Sequence, residues 1–345
     1  EGRRNEILGK LKEGLIDSSV TRTTFDWGVK LPWDPDHVLW VWSDALVNYI
    51  SGLGWPEGTT LPTDAIEGRS RHEHADKAFD YWWPEAVHFV GKDILWHHTV
   101  VWWSLLQGAG VQPPKQVFAH GWWQVEGEKM SKTLGNVVKP GEVADEFGRD
   151  ALRYHILREG PAKSDSDWRK AAFRERFNAD LANGLGNLLN RSLKMLSKYF
   201  DGKVPAETAF ADAGFEELRQ KLIAQVNELG DGLVDRVSAY DLDGALECVI
   251  SLVREANAFV NETAPFKLAK DESRTQDLQA SMHTLIEIAR VLGHAIRPFL
   301  PDASVRVAAQ VNFDLDQPLL EALKWGQLQA DHQIGEAEAL FQRLE

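Results

Sequence analysis

The run Ala86-Val87-His88-Phe89-Val90 is followed by Gly91-Lys92-Asp93 and then by Ile94-Leu95-Trp96-His97-His98-Thr99-Val100. The first run is short and β-favouring, which predicts a buried strand that ends at a glycine. The last run predicts a helix that begins beside the carboxyl end of that strand. A second apolar run, Val38-Leu39-Trp40-Val41-Trp42, is also followed by a helix-like segment. This alternation predicts βα units in a parallel sheet, with ligands bound at the carboxyl ends of its strands.

The composition is that of an ordinary globular protein with an acidic balance. Its 345 residues are enough for about two domains, and 43% apolar with 26% charged residues exclude a disordered chain. The formal net charge of −14 excludes a general polyanion binder, so any nucleic-acid contact must be local. The single cysteine, Cys248, excludes an intramolecular disulfide and a cysteine-based zinc cluster, and it indicates a reducing, cytoplasmic compartment.

The distribution of tryptophan divides the chain. Ten of the 14 tryptophans precede residue 104. From about Trp168 onward, apolar residues recur at three- and four-residue spacing, which is typical of amphipathic helices. We therefore predict an α/β part followed by an all-α part.

Helical spacing brings candidate binding residues to one side of each early helix. Ile94 and His98 are four residues apart, so their side chains can point the same way. Trp42, Ala45 and Tyr49 have the spacing of one helix face. Core packing would account for both sets, and the walls of a small-molecule pocket are the alternative.

A loop rich in charge and glycine extends from His120 to Asn136. Within it, Lys129 and Lys132 are separated by two residues, so both ammonium groups can close over a polyphosphate with help from backbone N–H groups and hydroxyls. A solvated turn is the usual interpretation of such a pattern alone. The seventeen-residue context favours a phosphate-binding loop.

The stretch Lys129-Met130-Ser131-Lys132-Thr133 resembles the KMSKS signature of class I aminoacyl-tRNA synthetases, with a threonine in place of the last serine. The methionyl, isoleucyl, leucyl, valyl and cysteinyl enzymes share that signature, so it indicates the class and not the amino acid. Other stretches are similar to the methionyl-tRNA synthetase family, namely residues 41–49, 88–93 with His98, 118–123 and 177–188.

The resemblance implies a fold and a reaction. It places the second half of a Rossmann-like parallel-sheet catalytic domain at residues 1–138, a connecting stem-contact element at 139–170 and an α-helical anticodon-binding bundle at 171–345. In the implied reaction the methionine carboxylate attacks the α-phosphorus of ATP, pyrophosphate leaves, and the adenylate is transferred to the 3′ end of tRNA(Met). Such chemistry depends on positioning and on charge rather than on a side-chain nucleophile.

The family's methionine pocket corresponds to six residues here. Aromatic rings hold a polarisable thioether well, and His98 or Tyr49 is expected to offer the sulfur a weak hydrogen-bond donor. The six residues are Trp42, Ala45, Leu46, Tyr49, Ile94 and His98.

The implied ATP site includes residues of both glycine-rich stretches. Lys132 would stabilise the triphosphate in the transition state while Lys129 orders the loop, and Mg²⁺ would arrive bound to the nucleotide. Asp93 would accept hydrogen bonds from the ribose. The ATP-binding residues are Gly91, Asp93, His120, Trp123 and Lys132, with Trp123 contacting ATP largely through its backbone.

The helical part is expected to bind the anticodon. Asn183, Asn187 and Arg191 are spaced four apart, and amide and guanidinium groups suit the edges of unstacked bases. Helix capping or packing is the alternative for such a stripe. Phe266 stands where the family commonly has tryptophan, which retains stacking on a base but loses the indole N–H. Residues 168–200 contain seven basic and two acidic side chains, a local landing surface for tRNA.

Two features of the family are absent from residues 1–345, its HIGH-like tetrapeptide and the inserted connective domain that holds zinc in many relatives. We therefore expect a carboxyl-terminal part of the enzyme that forms little methionyl-adenylate alone, has no metal site of its own, binds no membrane and is a monomer. Two alternatives stay open: another class I synthetase, such as the leucyl, isoleucyl or valyl enzyme, and a non-catalytic tRNA-binding module.

Overall fold

The computed structural model describes residues 2–56 and 78–345, which fall into two compact units. The first unit comprises Glu1–Trp122 with Pro161–Asp165, and the second comprises Trp123–Gly160 with Ser166–Glu345. The chain therefore leaves the first unit after Trp122 and returns to it briefly at Pro161. No helix within the described residues has the length and apolar composition that crossing a bilayer requires.

The first unit contains short helices and five strands among its described residues. The strands are β1 (Thr21–Arg22), β2 (Lys30–Leu31), β3 (Asp34–Leu39), β4 (Val87–Gly91) and β5 (Gln116–His120). The α-helices are α1 (Gly2–Lys12), α2 (Val41–Ala45), α3 (Asn48–Ser51), α4 (Ala78–Trp82) and α5 (Trp102–Gly108). Short 3₁₀ turns are formed by Trp83–Glu85 and Lys92–Ile94, and His97–Val101 form a π-helical turn.

Strands β4 and β5 confirm the predicted βαβ unit. They pair in parallel, with Val87 opposite Gln116 and Gly91 opposite His120. The helical residues 92–108 connect them, and within β4 His88 and Val90 are buried while Phe89 is exposed. The carboxyl ends of both strands therefore lie side by side, at Gly91 and His120.

The prediction of a strand over residues 38–42 in a parallel sheet is wrong about where the strand ends and about how it pairs. Strand β3 ends at Leu39, and helix α2 begins at Val41. Strand β3 pairs antiparallel with both β1 and β2 rather than joining the parallel pair. Only Val38 of β3 is buried, and a strand so exposed suits an antiparallel sheet that faces solvent.

The core of the first unit is aromatic. Leu46, Ile50, Trp83 and Trp102 are each at most 4% exposed and pack with Leu106 and Val111. The indole of Trp83 donates a hydrogen bond to the carbonyl of Gln112 at 2.8 Å, so its polar end is satisfied. Two tryptophans of the early sequence, Trp83 and Trp102, are thus core residues.

The second unit is mostly helical, which confirms the predicted change of pattern. Its helices are α6 (Pro140–Phe147), α7 (Arg149–Glu159), α8 (Lys170–Arg176), α9 (Asn187–Phe200), α10 (Ala213–Ser238), α11 (Leu242–Thr263), α12 (Pro265–Leu268), α13 (Thr275–Ala295), α14 (Pro301–Val311) and α15 (Leu319–Ala322). A π-helical segment, Phe177–Gly186, leads into α9, and Glu272–Arg274 form a 3₁₀ turn. Its strands are β6 (Trp123–Val125), β7 (Glu128–Lys129) and β8 (Ser166–Trp168).

Helix α13 is the centre of the bundle. Nearly all of its side chains from Asp277 to Ala295 are buried, and α9, α11 and α14 pack against it. Helix α13 is thus a core helix, although some of its buried side chains, such as Glu287 and Arg290, are charged. Helices α6 and α7 are joined at Gly148, whose φ of 94° favours glycine.

Candidate functional site

Three rings of the first unit form a cluster that we call the aromatic niche, made of Trp42, Tyr49 and His98. The Trp42 and His98 rings meet edge to face with centroids 5.9 Å apart, and the Tyr49 and His98 rings are 5.7 Å apart. His98 is only 2% exposed, whereas Tyr49 is 39% exposed. The niche is therefore anchored by a buried imidazole and open on the tyrosine side.

Hydrogen bonds fix the polar atoms of the niche. Nδ1 of His98 lies 3.0 Å from the carbonyl oxygen of Ile94, and Nε2 lies 3.0 Å from the hydroxyl of Tyr49. A carbonyl oxygen only accepts, so in the neutral imidazole Nδ1–H donates to Ile94 and Nε2 accepts from Tyr49. The Nδ1 proton of His98 and the hydroxyl proton of Tyr49 are therefore both hydrogen-bonded to protein atoms. The weak donor expected from His98 or Tyr49 toward a thioether sulfur is therefore already bound by a protein atom in this arrangement.

The other three predicted pocket residues differ in burial. Leu46 is 1% exposed and belongs to the core of the unit. Ala45 is exposed, and Ile94 is half-buried at the end of its 3₁₀ turn. The structure thus joins Trp42, Tyr49 and His98 by direct ring contact and joins Ile94 to them through its backbone.

Two further histidines adjoin the niche and were not predicted. His97 stacks on Trp42 with ring centroids 4.1 Å apart, and His88 packs on Tyr49 at 4.3 Å. The indole of Trp102 donates to Nε2 of His88 at 3.2 Å. Burial and the neighbouring His98 lower the pKa of His88 to about 4, so it is neutral at physiological pH.

The predicted ATP residues of the first unit lie at the carboxyl ends of β4 and β5. Gly91 is opposite His120 in the parallel ladder, and Asp93 follows in the 3₁₀ turn. A Cβ on Gly91 would lie 2.6 Å from Oδ1 of Asp93, so any larger residue there would require this carboxylate to move. Nδ1 of His120 lies 2.8 Å from the carbonyl oxygen of Gly121, which leaves Nε2 as the acceptor of the neutral ring.

An ion pair beside Asp93 was missed. Lys92 donates to both carboxylate oxygens of Asp165, at 2.7 and 2.6 Å. The same carboxylate accepts the backbone N–H of Trp122 at 2.9 Å. Lys92 and Asp165 are 73 residues apart, so no local pattern indicates the pairing.

The second unit contains Trp123 and the two predicted lysines. Trp123 begins β6, pairs in parallel with Ser166, and stacks on His155 with ring centroids 5.9 Å apart. Lys129 ends the β6–β7 hairpin, and Lys132 follows in an exposed turn. Backbone and side chain of Trp123 are thus both held within the unit.

Asn136 closes the lysine loop, here defined as residues 129–136. Its Oδ1 accepts the N–H of Ser131 at 2.8 Å, and its Nδ2 donates to the carbonyl of Lys129 at 3.2 Å. The N–H of Gly135 donates to the carbonyl of Lys132 at 3.2 Å. One amide side chain therefore holds the stretch that carries both ammonium groups.

The predicted anticodon residues lie on three segments of the bundle. Asn187 and Arg191 are four residues apart on α9 and share a face. Asn183 belongs to the preceding π-helical segment, Phe177–Gly186, and is exposed like Asn187. Phe266 is 41% exposed at the start of α12, where Pro265 is the first helical residue.

Comparisons with known proteins agree on one family. A family model described as "tRNA synthetases class I (M)" matches residues 1–193. The methionine--tRNA ligase of Caldanaerobacter subterraneus is 40% identical over 345 residues, which are 100% of this chain and 51% of that protein. The methionine--tRNA ligase of Halalkalibacterium halodurans is 39% identical over 351 residues, 100% of this chain and 50% of that protein.

A solved structure is similar over nearly the whole chain. It is Mycobacterium tuberculosis methionyl-tRNA synthetase bound by methionyl-adenylate, with a TM-score of 0.83 and 33% identity, and the match covers 99% of this chain and 63% of that one. The chain spans about half the length of the curated relatives it matches. The structural similarity confirms the predicted fold class, and the family model matching residues 1–193 establishes that this chain belongs to the class I tRNA synthetases of type (M).

Proposed function

We propose that this chain is part of a methionine--tRNA ligase, which activates methionine with ATP and transfers it to tRNA(Met). The aromatic niche is the observation that carries the proposal. It offers two rings and a buried imidazole, the kind of polarisable surface that suits a thioether side chain. Relatives named methionine--tRNA ligase support the same reaction.

Methionine would bind against the niche with Ala45, Leu46 and Ile94 as further walls. Because both niche protons are engaged between protein atoms, recognition of the sulfur would rest on contact with the rings rather than on a donated hydrogen bond. Leu46 would act from the core by holding α2 in place, since its side chain is buried.

ATP would bind as its Mg²⁺ complex, with the metal held by the phosphates. Asp93 would accept the ribose hydroxyls, and Gly91 keeps the space beside that carboxylate open. His120 and the backbone of Trp123 would contact the nucleotide. Lys132 would stabilise charge that develops on the phosphates, with Lys129 helping to order the lysine loop. The carboxylate of methionine is itself the nucleophile in this scheme.

The tRNA would be read by the helical part. Asn187 and Arg191 present an amide and a guanidinium on one face of α9, with Asn183 nearby in sequence. Phe266 offers an exposed ring for stacking. We retain the domains 1–138, 139–170 and 171–345 as part of the proposal, together with a cytoplasmic location and a monomeric state.

The reaction is tested by methionine-dependent exchange of pyrophosphate into ATP. We expect the 345-residue chain alone to exchange slowly. A chimera in which this chain replaces the matching half of the Caldanaerobacter ligase should exchange with methionine at least about a hundredfold faster than with leucine, isoleucine or valine, which is a difference of about 2.7 kcal/mol. Equal rates with those amino acids would favour another class I synthetase.

Binding of tRNA by the isolated chain tests the second candidate, a non-catalytic module. In a filter-binding assay, the chain should bind tRNA with the methionine anticodon more tightly than the same tRNA with a swapped anticodon. Arg191→Ala should remove that preference. The control is Lys221→Ala, which removes a basic residue of α10 that pairs with Glu217 and should leave the preference unchanged. Anticodon preference combined with an inactive chimera would favour the module over the enzyme.

A further inference from the structure

The carboxylate of Asp165 joins three segments of the first unit. Lys92 at the end of β4 donates to both of its oxygens, at 2.7 and 2.6 Å. The backbone N–H of Trp122, two residues after β5, donates to Oδ1 at 2.9 Å. Asp165 itself belongs to the segment Pro161–Asp165. One side chain therefore ties the ends of the two parallel strands to a distant loop.

Trp122 extends this connection to Asp93. Its indole N–H donates to Oδ1 of Asp93 at 3.3 Å. The ammonium of Lys92 lies 4.2 Å from the centroid of the same indole, within the range of a cation–π contact. The position of the Asp93 carboxylate thus depends on Trp122, whose backbone and ring are held by Asp165 and Lys92.

The neighbouring backbone leaves little freedom in this arrangement. The N–H of Gly121 donates to the carbonyl of Pro161 at 2.7 Å. A Cβ on Gly121 would lie 2.6 Å from Oδ1 of Asp165 and 2.7 Å from the carbonyl of Ser164. Close contact of this kind requires glycine and fixes the distance between the two segments.

The ion pair differs from an ordinary surface pair. The side chains of Lys92 and Asp165 are 20% and 30% exposed, and the carboxylate accepts three hydrogen bonds. The bonds from Lys92 and from the Trp122 N–H lower the pKa of Asp165, which keeps it ionised at neutral pH. By contrast, the Lys115–Glu85 pair of the same unit has side chains that are 56% and 70% exposed.

We infer that Asp165 is a positioning residue for the nucleotide subsite, which through Lys92 and Trp122 sets where the Asp93 carboxylate meets the ribose. The inference rests on the proposed function, in which Asp93 receives ATP. Asp165 touches no reacting atom in this scheme. Its loss should weaken binding of ATP and leave binding of methionine unchanged.

The first test needs no nucleotide. In protein labelled with ¹⁵N-tryptophan, the indole signal of Trp122 is assigned by its loss in Trp122→Phe. Asp165→Asn should shift that signal, because an amide cannot accept from Lys92 through both of its polar atoms. Asp93→Asn should shift it too, and the control Glu85→Gln should not. An unmoved signal in Asp165→Asn would overturn the inference.

The second test measures dissociation constants for MgATP and for methionine by calorimetry. Asp165→Asn should weaken MgATP binding about tenfold, with methionine binding within about twofold of wild type and a similar thermal midpoint. Asp165→Glu, which keeps the carboxylate, should recover part of the loss. Wild-type affinity for MgATP in Asp165→Asn would overturn the inference. A wild-type chain that binds no MgATP would instead overturn the ATP site of the proposed function, and the indole signal would still decide whether Asp165 holds Trp122.

Discussion

The hydroxyl of Tyr49 lies 3.0 Å from Nε2 of His98, an imidazole whose other nitrogen is bound to the carbonyl of Ile94. This pair determines which atoms of the niche remain for a ligand. Since the protons of His98 Nδ1 and of the Tyr49 hydroxyl are both hydrogen-bonded within the protein, the niche presents to a ligand only ring faces and the lone pairs of the Tyr49 oxygen. A pocket of that kind favours a soft apolar group over one that needs a donor.

Tyr49→Phe should weaken methionine binding about fivefold, because the His98 ring loses the hydrogen bond that fixes its orientation in the niche, and such a bond contributes about 1 kcal/mol. The measurement is equilibrium dialysis with labelled methionine. Tyr81→Phe changes an exposed tyrosine of the same unit and should leave the affinity unchanged. Full methionine affinity in Tyr49→Phe would show that the hydroxyl has no part in shaping the niche.

Sequence patterns predicted the elements whose signals are local. The apolar run before Gly91 gave strand β4, and the helical spacing after Trp168 gave the bundle. The antiparallel pairing of β3 was not predictable from its own residues, because its partners β1 and β2 contain only two residues each and have no pattern.

Long-range polar contacts were also not predicted from the sequence. Tyr49 and His98 were expected in one pocket, but their hydrogen bond depends on tautomer and ring orientation, which spacing does not encode. Asp165 is one acid in a polar loop, and only the folded chain brings it to Lys92. The π-helical segments also have no sequence signal that separates them from α-helix.

Substitution of Asn136 tests whether its side chain holds the lysine loop in place. Asn136→Ala removes the bonds to Ser131 and to the Lys129 carbonyl, so the backbone amides of the loop should exchange with deuterium about tenfold faster. Hydrogen exchange with mass spectrometry measures this directly. Asn136→Asp keeps the acceptor for Ser131 and should give an intermediate rate. In the chimera described above, Asn136→Ala should reduce the exchange activity more than Asn136→Asp does. Unchanged exchange in Asn136→Ala would mean that other contacts hold the loop.

A buried ion pair in the bundle should contribute strongly to stability. Glu287 and Arg290 are 0% and 3% exposed, and the carboxylate accepts the N–H groups of Gly326, Gln327 and Leu328 at 2.9 to 3.1 Å. Glu287→Gln would place an amide donor against these donors and leave Arg290 short of its counter-charge. The free energy of unfolding in urea should fall by about 3 kcal/mol.

The matched control for that substitution is Glu321→Gln. Glu321 pairs with Lys324 at 2.6 Å, but both side chains are largely exposed. Exposed pairs contribute little, so the free energy of unfolding should change by about 0.5 kcal/mol or less. Similar losses from both variants would contradict the view that burial gives the Glu287 pair its effect.

His155 should make the second unit sensitive to acid. It is 3% exposed, and neither ring nitrogen has a hydrogen-bond partner among the described residues. Burial, with a smaller effect of Arg176, lowers its pKa from 6.5 to about 4. Between these values the unfolded chain binds a proton that the folded chain does not, so stability is complete above pH 6.5 and falls as the pH decreases toward 4.

His155→Phe removes that titration and keeps a ring among Trp123, Trp168 and Phe173, which lie 4.9 to 5.9 Å away between ring centroids. The variant should match or exceed wild-type stability at pH 7. Its advantage should increase by about 2 kcal/mol at pH 5, as linkage requires for a pKa lowered this far. Urea unfolding at the two pH values, followed by circular dichroism, measures the difference. An advantage that stays constant from pH 7 to pH 5 would mean that His155 takes up its proton without unfolding, as a residue able to reach solvent would.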